Sequence, residues 1–114
     1  MGEPPRSIQV QFTIDDGERG DAIVEELLTR RLVACAQTAG TVTSRYWWDG
    51  SVNRAEEWLY LCKTTPARLD EVVECIRRGH PYEVPEVIAC DITGGLDGYV
   101  DWIVASTQPT GDTS

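Results

Sequence analysis

Ile8, Val10, Phe12 and Ile14 alternate with Gln9, Gln11 and Thr13. That period of two predicts a half-buried strand with one wet face. Asp15-Asp16-Gly17 ends it. Ile23, Val24, Leu27, Leu28 and Leu32 then fall on one helical stripe, with Asp21 and Glu25 early and Arg30-Arg31 late, as the helix dipole prefers. A second strand is predicted over about 34–48, interrupted near Gly40. Asp49-Gly50 is the strongest hairpin signal in the chain, and its partner strand runs over about 52–63. Thr65-Pro66 reads as a helix start, with Thr65 as cap and Pro66 in the first turn. Leu69, Val72, Val73 and Ile76 carry that helix, and Gly79 closes it. Residues 87–92 make a fourth strand, and Gly94-Gly95 breaks it. Leu96, Tyr99, Val100 and Ile103 make a last short helix.

The order β-α-β-β-α-β-α predicts an α+β fold. Its sheet is ferredoxin-like, four-stranded and antiparallel, with helices on one face and a C-terminal helix added. The third and fourth strands are apolar on both faces, through Trp58, Tyr60 and Cys62 against Leu59 and Leu61, and Ile88 and Cys90 against Val87 and Ala89. A solvated face should alternate instead. A second cover is therefore expected, and another subunit is the natural one. Tyr46, Trp48 and Trp58, in and beside the hairpin, are the expected interface residues.

The chain has 114 residues, enough for one core. The expected division is a loose N-terminus over 1–6, a single domain over 7–107 and a flexible tail over 108–114. The formal net charge of −9 opposes binding to nucleic acid or to anionic membranes. No apolar stretch exceeds five residues, so no membrane span is expected. Met1–Arg6 lacks the pattern of a signal peptide, and the four cysteines include no C-x-x-C pair. A cytoplasmic location follows, with the cysteines as small core residues.

No phosphate-binding loop, dinucleotide fingerprint, zincin helix or nucleophile elbow occurs. Cys75 stands five residues before His80, the only histidine. That pair alone is a weak basis for catalysis, and no turnover is expected. In His80-Pro81-Tyr82-Glu83-Val84-Pro85-Glu86 two prolines hold the chain extended. Imidazole, carboxylate and thiol together suit copper or zinc. On spacing alone the segment also reads as a rigid connector with a surface His80 and a solvated Glu86. Lys63 either pairs with Glu56, Glu57 or Glu86 or faces a pocket.

Taken in order, Leu32-Val33-Ala34-Cys35, Tyr46-Trp47-Trp48-Asp49-Gly50, Glu57 through Lys63-Thr64-Thr65, His80-Pro81-Tyr82 with Pro85-Glu86, and Tyr99-Val100-Asp101-Trp102 resemble the CutA divalent-cation-tolerance family over about 8–106. The resemblance implies a PII-like homotrimer and a role in tolerance of divalent metals, copper above all. It implies His80 and Glu86 as metal residues for Cu(II) or another divalent cation. Where relatives often carry Cys before Thr on the first strand, this chain has Phe12, so a soft ligand for Cu(I) is missing. Lys63, Tyr82 and Trp102 are implied as cleft lining. A cleft between subunits that holds a small-molecule effector is the alternative function.

Overall fold

The alternation over residues 7–14 produces the central strand of the sheet. The structure, a computed structural model, describes residues 4–109, so the expectations for 1–3 and 110–114 lie outside the described residues. β1 (Ser7–Ile14) sits between β3 (Ser51–Thr64) and β4 (Val87–Ile92), and β2 (Cys35–Trp48) lies outside β3. Every neighbouring pair is antiparallel. α1 (Gly17–Thr29) and α2 (Leu69–Gly79) join the strands, and α3 (Asp97–Ser106) follows β4. This is the ferredoxin-like α+β arrangement with one added helix.

The core lies between one sheet face and the two crossover helices. Val10, Phe12, Tyr60 and Cys62 of the sheet meet Ile23, Leu27, Val72 and Ile76 of the helices. Each such aliphatic or aromatic side chain contributes about 1.5–3 kcal/mol by leaving water. Phe12 stacks on Tyr60, with centroids 4.9 Å apart. Tyr60 hydroxyl donates to Asp21 Oδ1 at 2.9 Å. Gly20 passes directly under that ring, and a Cβ there would lie 2.5 Å from Tyr60 Cε1.

Several element ends differ from expectation. Asp16 caps α1 through its carboxylate, accepting from Glu18 and Arg19 amides. At the other end Arg30-Arg31 lies just past the helix. Arg31 is left-handed (φ 55°). Its amide donates to Leu28 carbonyl, and the Leu32 amide donates to Leu27 carbonyl, the paired bonds of a Schellman stop. Pro66–Arg68 forms a 3-10 turn before α2, and Thr65 makes no side-chain capping bond. Gly79 is the last residue of α2. Its φ is not positive; a Cβ there would lie 2.7 Å from Ile23 Cγ1, so this glycine permits helix–helix contact. Leu96 caps α3 from outside and is exposed.

The β2–β3 hairpin reaches beyond the sheet. β1 pairs with β3 only at residues 58–64, so residues 42–48 and 51–57 pair with each other alone. Asp49 (φ 53°) and Gly50 (φ 80°) close this ribbon; positive φ at both positions is what a two-residue I′ turn requires. Near its root β2 carries one extra residue: Thr38 opposes Tyr60, and Thr41 opposes Trp58. Gly40 supplies the positive φ (98°) within this bulge. Odd residues of β2 face away from the helices before the bulge, and even residues do so after it.

The second sheet face carries Gln9, Gln11 and Thr13 beside Leu59, Leu61 and Ile88, by register. α3 reaches one end of it, where Tyr99 hydroxyl meets Cys35 Sγ at 3.5 Å. Away from α3, Ile88 is 50% exposed.

Candidate functional site at the root of the hairpin

On this second face the register of β2 on β3 beyond the bulge aligns Ser44, Tyr46 and Trp48 with Glu57. The connection from α2 to β4 crosses opposite them. Between the two lies a cavity of about 540 Å³, lined among others by Thr13, Tyr46, Trp48, Glu57, Tyr82 and Glu86.

Glu57 is only 5% exposed. Ser44 hydroxyl donates to its Oε1 at 2.6 Å, and Tyr82 hydroxyl to its Oε2 at 3.0 Å. Burial, then the bond to Glu57, push the Tyr82 phenol far above its ordinary range. It therefore stays protonated and donates to the carboxylate. Glu86 accepts from Gln11 amide nitrogen at 3.2 Å.

His80 is 6% exposed. Its Nδ1 accepts the Tyr82 amide at 3.1 Å. That bond assigns the proton to Nε2, which donates to the Thr13 carbonyl at 2.6 Å. The ring fastens the connection to the end of β1. A metal ligand needs a free nitrogen lone pair, and this ring has none in that arrangement. Among the described residues no group of three or more His, Cys, Asp and Glu side chains is placed to hold a metal ion. Phe12 points into the helical core, on the other face from Thr13, so a thiol at that position on this backbone would face the core.

The remaining expected residues separate. Lys63 Nζ donates to Gln37 Oε1 at 2.8 Å rather than to Glu56, Glu57 or Glu86. It stands six residues along β3 from Glu57, about 20 Å at strand rise. Trp102 stacks on Tyr99 of α3, centroids 5.5 Å apart, at the end of the sheet near Cys35. Of the expected cleft residues, Tyr82 meets Glu86 at the cavity, whereas Lys63 and Trp102 lie elsewhere. Tyr46 and Trp48 stand on the cavity side of the ribbon, and Trp48 is 60% exposed. Trp58 lies on the helical side against Gly17. Cys75 is buried beside Glu26 and Arg30, and burial raises its thiol pKa. It is not paired with His80, both of whose nitrogens are bonded elsewhere. Sequence reasoning missed Ser44 and Thr13 as site residues and read Glu57 only as a partner for Lys63.

Residues 8–106 match the family model of the CutA1 divalent ion tolerance protein. The chain is 36% identical over 102 residues to the rice "Protein CutA 1, chloroplastic", covering 90% of this chain. It spans 58% of that relative's length. It is 30% identical over 104 residues to the "Divalent-cation tolerance protein CutA" of Citrobacter koseri, covering 91% of this chain and 90% of the relative. The crystal structure of CutA1 from Oryza sativa superposes with a TM-score of 0.87 at 34% identity, over 94% of this chain and 98% of the other. Among the described residues no helix is long and apolar enough to cross a membrane. Fold, element order and a match over nearly the whole chain place this protein in the CutA1 divalent ion tolerance family.

Proposed function

We propose that the chain works as a homotrimer in divalent-cation tolerance, binding the cation without turnover, with copper as that cation. The family match over residues 8–106 carries the role. The hairpin carries the assembly. A two-stranded ribbon is marginal on its own, and this one exposes Trp47 (75%), Trp48 and Val52. Packing against other copies would bury that surface together with Ile88 on the second face. The cation contact that suits this geometry is a carboxylate, Glu86. His80 joins it only when its ring releases the Tyr82 amide. Unpaired cysteines at 35, 62, 75 and 90 suit residence in the reducing cytoplasm.

Native mass spectrometry tests this reading. The expected result is a trimer that takes up about one Cu(II) per subunit, with uptake lost in Glu86→Gln. A monomer overturns the assembly, and uptake that scales with copper and ignores Glu86→Gln overturns the site.

One observation favours a second reading, a PII-like module that holds a small effector. The cavity beside Glu57 is of the size that small-molecule sites occupy.

A further inference from the structure

Glu57 is the one Asp or Glu side chain that is buried among the described residues. Its two hydroxyl donors, Ser44 and Tyr82, occupy one position on each oxygen. Each carboxylate oxygen accepts about two donors, so each retains a position. Among the described residues no Lys or Arg stands within ion-pair distance. A buried carboxylate in that state is costly, and proteins ordinarily supply it with a cation.

The groups around it define which cation. The cavity of about 540 Å³ abuts Glu57 and also takes in Glu83 and Glu86 against one cation, Arg45, which makes no ion pair with Glu57, so its walls carry more negative than positive charge. Tyr46 and Trp48 stand on the same face of the ribbon as Ser44, and aromatic rings attract a cation over their faces. Ser44 and Tyr82 come from different elements and fix the carboxylate before any ligand arrives. A bare metal ion fits poorly. Two hydroxyl protons already point at the carboxylate, and no third ligand stands with it.

We propose that this cavity binds a small organic ammonium. Its N–H groups donate to Glu57, and its flat or apolar body lies against Tyr46 and Trp48. This deepens the second reading above and stands apart from copper.

The test is calorimetric titration of the full chain, in chelator, with benzylammonium and with benzyl alcohol as its neutral counterpart. The expected result is saturable binding of the ammonium at about one per chain, about tenfold or more tighter than the alcohol. Glu57→Gln should remove that preference, a loss of about 1.4 kcal/mol or more. If Glu57→Gln does not fold, Tyr46→Leu, which removes the other ring of the cavity wall, must weaken the ammonium by about tenfold instead. Equal binding of both compounds overturns the ammonium class and leaves the cavity a small-molecule site. A metabolite screen without any saturable binding overturns both, because the cavity is then closed or filled in the assembly.

Discussion

His80 and Thr13 are joined by a bond of 2.6 Å between a ring nitrogen and a main-chain carbonyl, sixty-seven positions apart. With the Tyr82 amide on the other nitrogen, the imidazole replaces two backbone partners at once. His80→Ala leaves both groups without them. We expect a loss of about 1–3 kcal/mol in stability, read from urea unfolding in chelator. An unchanged midpoint would show that the ring is not structural.

Arg31 occupies a left-handed position at the end of α1, where a side chain is strained and glycine is not. Arg31→Gly is expected to raise stability by a few tenths to about 1 kcal/mol. A drop instead would mean that the long bond from Arg31 to Ser106 carbonyl, 3.4 Å, outweighs the strain.

Gly20→Ala puts a methyl group into the Tyr60 ring. The ring is stacked on Phe12 and bonded to Asp21, so it has little room to yield. We expect a cost of about 1–3 kcal/mol, measured by thermal unfolding. A gain, as a helix position would ordinarily show on replacing glycine, would place the ring elsewhere.

Burial, then proximity to Cys35, raises Cys62 to about 12. Burial, then the bond to Asp21, raises Tyr60 to about 12. In the unfolded chain these groups release their protons near 9.0 and 10.0. Between those values and about 12 the folded state binds more protons, so stability falls as pH rises. The steepest loss is about 1.4 kcal/mol per pH unit for each group. Unfolding midpoints from about pH 8 to about pH 11 should decline, and Cys62→Ala should flatten the first part of the decline. A level profile contradicts this account.

Cys90 is exposed on the second sheet face of the single chain, whereas Cys62 and Cys75 are buried. The assembly proposed above, through that face, would shield Cys90. Maleimide should therefore modify it slowly where the trimer persists and faster on dilution. A rate independent of protein concentration counts against that interface.

The strands and helices were legible because their signals are local: the alternation of 8–14, the stripe of 69–76 and Asp49-Gly50. Helix ends were less so. Arg31 takes a glycine's place because the paired Schellman bonds hold it, and Gly79 answers to Ile23, a residue on another helix. The site was mostly hidden. Nothing in Glu56-Glu57 tells which acid is buried, because burial follows from Tyr82 arriving from a distant connection. His80 was visible as unusual, but its partner Thr13 belongs to the first strand. Within one chain Lys63 lies far from Tyr82 along β3 and Trp102 sits on α3, so a cleft that joins them to Tyr82 is one that draws on more than one copy.

The extra residue between Thr38 and Thr41 is absorbed locally by the strand. Without it β2 would pair with β3 in an unbroken ladder, Thr38 still opposite Tyr60 and Val42 still opposite Glu57, and Ser44, Tyr46 and Trp48 would still stand on the face of Glu57. What the arm would lose is the bend and the added twist that a bulge gives its strand. The extra residue therefore decides where the ribbon points, while the pairing decides which side chains it presents.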